Sequence, residues 1–74
     1  MATLRDAVER GDAEEAHRAA HTLKSNGATF GAQSFAELCR ELETLGREGR
    51  LESAGPLVSQ AEEEWERVRA SLGA

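Results

Sequence analysis

One group of side chains in this 74-residue chain has the types and spacing to do chemistry: His21, with Lys24 three residues on, inside the run Ala20-His21-Thr22-Leu23-Lys24-Ser25-Asn26-Gly27-Ala28-Thr29-Phe30-Gly31-Ala32. A neutral imidazole nitrogen is a nucleophile at neutral pH. A phosphoryl group landing on it brings negative charge, which an ammonium one helical turn away offsets as a point charge. Placed on a helix, Ala13, Ala16, Ala20, Leu23, Gly27 and Phe30 recur at steps of three and four and form one buried stripe. His21 lies beside that stripe. His17, Lys24, Ser25 and Ala28 share its face, because residues three and four apart are helical neighbours. The small neighbours leave room for a partner's active site to close over the ring. On spacing alone a His-x-x-Lys pair arises easily by chance, and a solvated histidine beside an ordinary surface lysine is the commoner occurrence.

The wider pattern is more specific. The run from Ala20 to Ala32 resembles the phosphoacceptor segment of histidine-containing phosphotransfer (HPt) domains, and is similar to the N-terminal domain of chemotaxis histidine kinases. The resemblance extends back through Gly11-Asp12 and forward through Leu38-Cys39 and Leu42-Glu43. It implies that His21 accepts a phosphoryl group from a receiver-domain aspartate or a kinase and passes it to a response regulator. It also implies that Lys24 stabilises the phosphoryl charge and that any Mg²⁺ belongs to the partner receiver. Many members carry Gly after the Lys, where a partner's backbone comes close; Ser25 departs from this. Its hydroxyl can bond a phosphoryl oxygen, as can Asn26, and Ala28 belongs to the same partner-facing surface.

Composition bounds the rest. A chain this short makes one domain, residues 1–74, that buries roughly 60% of its unfolded surface, with stability of about 4–10 kcal/mol. No large substrate cavity fits such a core, so chemistry belongs on the surface. The formal net charge is −5 and aromatic residues make up 4%; with no basic stripe, nucleic-acid binding is disfavoured. The single Cys excludes an internal disulfide and a Cys-based zinc site, and Cys39 reads as a buried, inert thiol. No Gly-rich nucleotide loop appears, so a phosphocarrier without its own ATP site or turnover is expected, in no need of a cofactor. No apolar run spans a membrane and no signal peptide is visible; a cytoplasmic setting is expected by default.

Four amphipathic segments must position the histidine. The first, Ala2 to Arg10, puts Leu4, Ala7 and Val8 on one face, with Thr3 as a cap and Asp6 three residues on. Asp12 caps the second segment, Glu14 and Glu15 complement its dipole, and Gly31 stops it just beyond Phe30. Gly27 on its stripe marks close approach of another helix. The third runs from Ser34 to Arg47 with Phe35, Leu38, Cys39, Leu42 and Leu45 inward, and frays at Gly46 and Gly49. The fourth starts with Ser53 as cap and Pro56 in the first turn; Leu57, Ala61, Trp65, Val68 and Leu72 face inward, with Trp65 as main anchor. The acidic residues Glu62, Glu63, Glu64 and Glu66 read as a solvated face. Short connections imply an all-α, antiparallel up-down four-helix bundle. Its first helix is short beside those of the family, as though abbreviated at the N-terminus.

A corner at Gly31-Ala32 gives a geometric expectation. Antiparallel helices rise equally per residue, so positions equidistant from the corner are level. His21 stands eleven residues before Ala32 and Glu43 eleven after; His17 is level with Arg47, and Lys24 with Arg40. Glu43 can therefore orient the imidazole, and the family places a Glu or Gln there. Arg47 resembles a phosphate-side basic position in some members; alternatively Glu43 is a surface carboxylate paired with Arg47 at i+4. His17, with Ala20 where a lysine would stand, is expected to be a solvated neighbour.

Two other readings compete. One is a non-catalytic helical interaction module, monomeric or dimerising through an uncovered first-helix side. The other is the dimerisation hairpin of an ordinary sensor kinase. It is disfavoured because Thr22 follows the histidine where those hairpins have an acidic residue, and no Pro is near.

Overall fold

A computed structural model describes the backbone of residues 2–73 and the side chains of residues 2–71. It contains four helices: α1 (Ala2–Arg10), α2 (Ala13–Thr29), α3 (Gln33–Glu48) and α4 (Gly55–Gly73), with a 3-10 turn at Leu51–Ser53 before the last. No strand occurs among the described residues. Neighbours around the bundle follow chain order, α1 beside α2, α2 beside α3, α3 beside α4 and α4 beside α1, with α2 against α3 the most extensive pairing. This is the all-α four-helix bundle expected from the four apolar stripes.

The boundaries follow from local chemistry. The Asp12 carboxylate accepts from the Glu15 N–H at 3.1 Å and caps α2. At Gly31, φ is +72°, in the left-handed region. The Ala32 N–H then donates to Gly27 O at 2.8 Å and the Gly31 N–H to Ala28 O at 3.2 Å, closing a Schellman turn. Gly49 ends α3 in the same way, with φ of +71°. Thr3 lies inside α1 and is not its cap, and Asp6 instead accepts from Arg10 Nε at 2.8 Å. Ser53 is not the cap of α4 either; it belongs to the 3-10 turn, and the ladder of α4 begins with Val58 N–H donating to Ala54 O.

The core consists of Leu4, Ala7, Ala16, Ala20, Phe35, Cys39, Leu42, Ala54, Val58 and Ala61, all fully buried. Phe35 is its largest member; truncating a residue of this kind costs about 3–5 kcal/mol. Trp65 is only half-buried and packs on the Phe35 ring with centroids 5.2 Å apart. Trp65, expected as the main anchor of α4, thus packs at the margin of the core, and Val58 and Ala61 are the fully buried residues of that helix. Val58 rather than Leu57 is fully buried in the first turns of α4; the two stand three and four residues before Ala61 and share its side of the helix, with Leu57 packed against the core from its edge. Phe30 sits at the helix end, past the last full turn of α2, and is 51% exposed instead of completing the stripe. Leu72 falls outside the described side chains.

The first helix leaves no bare stripe: Leu4 and Ala7 are sealed within the chain itself. Arg5 fastens α1 to α4 through a two-pronged pair with Glu62, Nε to Oε2 and a terminal nitrogen to Oε1, each at 2.6 Å. That pair holds the Glu62 carboxyl below its ordinary value.

Gly46 corrects another expectation. It is not part of a frayed end but is buried within α3, where a Cβ would stand 2.8 Å from His17 N and 3.0 Å from Ala13 O. Only a glycine lets α3 come this near the α2 backbone. Gly27 does the reciprocal service on α2, where a Cβ would meet the Phe35 ring at 2.8 Å. Replacing Gly46 by Ala should gain about 1 kcal/mol of helix propensity and lose more, since backbone atoms cannot yield as side chains do; overpacking typically costs 1–3 kcal/mol. Urea titration should show a lower midpoint for Gly46→Ala than for the unmodified chain. An equal or higher midpoint would show that the two helices separate without penalty.

Candidate functional site

The α2–α3 hairpin brings the counted positions together. His21, on the outer side of α2, has a side chain 61% exposed. Its Nδ1 meets Glu43 Oε2 at 2.5 Å, and Lys24 Nζ donates to Glu43 Oε1 at 2.7 Å. The carboxylate at the centre is only 13% exposed. The expected level pairing of His21 with Glu43 is observed. Lys24, level by count with Arg40, reaches back to Glu43 because helical side chains lean toward their own N-terminus. Lys24 leans away from the corner, and Glu43, on the antiparallel helix, leans toward it. The Lys24 side chain is consequently 30% exposed and engaged, not freely solvated.

The charge state of this cluster sets its hydrogens. Lys24's hydrogen bond, and then that of His21, hold the Glu43 carboxyl below its ordinary value, against the opposing effect of burial. An ionised carboxylate only accepts. His21 therefore donates Nδ1–H, and in the neutral ring Nε2 carries the lone pair. The imidazole is presented with its nucleophilic nitrogen as the one that Glu43 does not occupy.

His17 is not the solvated neighbour that the pattern implied. Its Nδ1 lies 3.0 Å from the backbone oxygen of Glu43, and the residue is half-buried. A carbonyl oxygen can only accept, so here too Nδ1 carries the hydrogen. Sequence patterns carry no trace of this bond, because its acceptor is backbone.

The remaining candidates are spread around the hairpin. Ser25, Asn26 and Ala28 are all exposed. Ser25 lies four residues beyond His21 and Ala28 seven, on His21's side of the helix. Asn26, five residues on, is turned about 140° from it and is not brought to the ring. Ala28 instead floors an open groove of about 490 Å³ with Gly31 and Ala36, rimmed by Lys24 and Arg40. Arg47 is exposed beside His17 and Gly46, at the expected height, and Glu43 pairs with Lys24 and His21 rather than with it. Cys39 is sealed in the core, where burial pushes its thiol up to about 11.

An exposed imidazole, bonded to a carboxylate across a hairpin that also takes an ammonium, thus stands on the outside of a four-helix bundle. The chain matches the family model of the Hpt domain over residues 1–71, and it belongs to that family. Hpt domains carry phosphoryl groups on histidine in phosphorelays, working with kinases and receiver domains as phosphocarriers rather than as enzymes in their own right. Among curated proteins and among solved structures, no match was found. No helix is long and apolar enough to cross a membrane among the described residues.

The Glu43 shift has a measurable consequence. A carboxyl held low in the folded state contributes stability that is present above its unfolded pKa and lost as pH falls through the folded value. Carbon-detected NMR titration should place the Glu43 midpoint below the ordinary 4.5. Lys24→Met should raise it, having removed the largest cause. A midpoint unmoved by Lys24→Met would mean that the ammonium does not hold the carboxylate in solution.

Proposed function

We propose that His21 is the phosphoacceptor of a two-component phosphorelay, taking phosphoryl from a receiver-domain aspartate or a kinase and giving it to a response regulator. The observation that carries this reading is the His21–Glu43–Lys24 cluster, in which Nδ1 is engaged and Nε2 is left as the nucleophile. The Nε2 lone pair attacks phosphorus, the bond from phosphorus to the donor oxygen breaks, and its electron pair leaves on that oxygen. Positive charge then develops on the ring, and Glu43, already accepting from Nδ1–H, stabilises it. This is the role that a carboxylate plays behind a catalytic histidine.

Lys24 serves the incoming phosphoryl. Its ammonium has three donors, of which one is used on Glu43, so it can hold the carboxylate and still offer hydrogens to a phosphoryl oxygen. The Ser25 hydroxyl stands on the same side. Arg47, beyond His17, belongs to the surface that a docking partner covers. The partner supplies the aspartate, the Mg²⁺ and the rest of the transfer machinery.

Incubation with a phosphorylated receiver domain tests the reading. Acid-labile, base-stable label is expected on the unmodified chain and absent from His21→Gln; equal labelling of the two overturns it. Lys24→Ala should slow the transfer about tenfold, the effect of losing one charge-assisted hydrogen bond of ~1.5 kcal/mol. Transfer at an unchanged rate would remove Lys24 from the mechanism.

A further inference from the structure

We propose that His17 is a positioning residue, a tether that holds α2 and α3 at the height and separation where the Glu43 carboxylate can orient His21. The inference rests on the phosphoacceptor reading only for its kinetic consequence; its structural content stands by itself.

Three observations converge on His17. Its ring donates Nδ1–H to the backbone oxygen of Glu43 at 3.0 Å, a bond between helices that spans 26 positions of sequence. A helical carbonyl oxygen keeps a second lone pair, so this bond is made without unmaking the α3 ladder. One turn along α3, the missing side chain of Gly46 brings backbone against backbone, and two of the three nearest atoms a Cβ would strike are the N and Cα of His17, at 2.8 and 3.0 Å, the third being Ala13 O. Finally, the residue that His17 grips by its main chain is the one that grips His21 by its side chain. Glu43 is thereby tied to α2 at two successive turns, through its carbonyl to residue 17 and through its carboxylate to residues 21 and 24.

The consequence follows from reach. A glutamate that must span two helices and meet an imidazole nitrogen tolerates little change in their spacing, and a displacement of 1 Å in a reacting constellation can cost on the order of a hundredfold in rate. Beside His17 on α2 the buried side chains Ala16 and Ala20 are small. They permit close packing, but contacts between methyl groups set axial height only weakly. A directional hydrogen bond from ring to backbone sets it strongly. His17 has Ala20 where His21 has Lys24, so no ammonium stands ready to support a phosphoryl group on its ring. Its service is to the neighbouring histidine.

The test compares His17→Ala, His17→Asn and His17→Gln by nitrogen NMR of the His21 ring, which reports which nitrogen bears the hydrogen. In the unmodified chain the Nδ1–H form should dominate. His17→Ala should shift His21 toward Nε2–H and reduce phosphoryl acceptance about five- to tenfold. Asn should restore both, because its amide N–H stands about where Nδ1 does; Gln, one carbon longer, should not. In a Glu43→Ala background, His17→Ala should leave the His21 ring signal where Glu43→Ala alone puts it, since the two act in series. A His21 ring unchanged in folded His17→Ala overturns the proposal, and so does an effect of equal size with and without the Glu43 carboxylate. Should His17→Ala fail to fold, Asn against Gln decides: restoration by Asn alone supports the tether, and equal behaviour overturns it. If His21 of the unmodified chain accepts no phosphoryl, the functional reading fails, while the NMR comparison still judges the tether.

Discussion

One carboxylate, largely withdrawn from water, holds an imidazole and an ammonium in a fixed relation, and the site depends on that interaction. Desolvating a charge is costly unless it is paired and hydrogen-bonded. Glu43 meets both conditions, with one oxygen on His21 and the other on Lys24. The dependence runs in both directions. Lys24 lowers the pKa of the Glu43 carboxyl against the effect of burial, and ionised Glu43 keeps the hydrogen of His21 on Nδ1. Remove the ammonium and the carboxylate is less firmly an acceptor; remove the carboxylate and the ring is free to choose its tautomer. The exposed histidine is defined by what lies beneath it.

That arrangement can be built on so small a domain because its scaffold is made where packing is tightest. The clustered side chains sit on α2 and α3, whose pairing is the most extensive in the bundle, and not on loops. Sites carried by packed helices are held more precisely than sites on connections. Glycine at 27 and 46 and alanine at 16 and 20 let the two helices approach until side chains as short as Glu and His can meet across them. The other helices close the far side of the core, with Arg5 and Glu62 latching first to last.

Much of this was legible in the sequence, for identifiable reasons. Helical periodicity located the four elements to within a residue or two, since apolar stripes report burial directly. The corner count set Glu43 opposite His21 because antiparallel helices share one rise per residue. What escaped was of a different kind. Gly46 resembled a helix end because glycine usually marks one, whereas its reason is a neighbour's backbone that no single-helix pattern contains. Val58 took the fully buried place and Leu57 the edge because the two stand three and four residues before Ala61, and spacing alone does not choose between them. Phe30 fitted the stripe by spacing, but the helix was already ending. His17 resembled a spare surface histidine because its partner is a carbonyl, a group every residue carries and no sequence marks. Side-chain chemistry could be read in advance; relations between side chain and backbone could not.

On the proposed function, the charge inventory of the cluster suits a carrier better than a trap. Before transfer, Glu43 and Lys24 balance and the imidazole is neutral. With phosphoryl on Nε2, a single nearby ammonium must answer both the carboxylate and the new anion, while Glu43 steadies the ring's positive charge. A second cation bonded to Glu43 beside Lys24 would lower the phosphorylated state further and raise the barrier to leaving it. Stabilising a bound intermediate by more than its transition states slows the step that consumes it. An intermediate that must both accept and release gains from support that is sufficient to form it and too weak to keep it. On the proposed reading the Lys24 ammonium, shared between two anions, supplies support of that intermediate strength, and the exposure of His21 leaves the remaining contacts to whichever partner is docked.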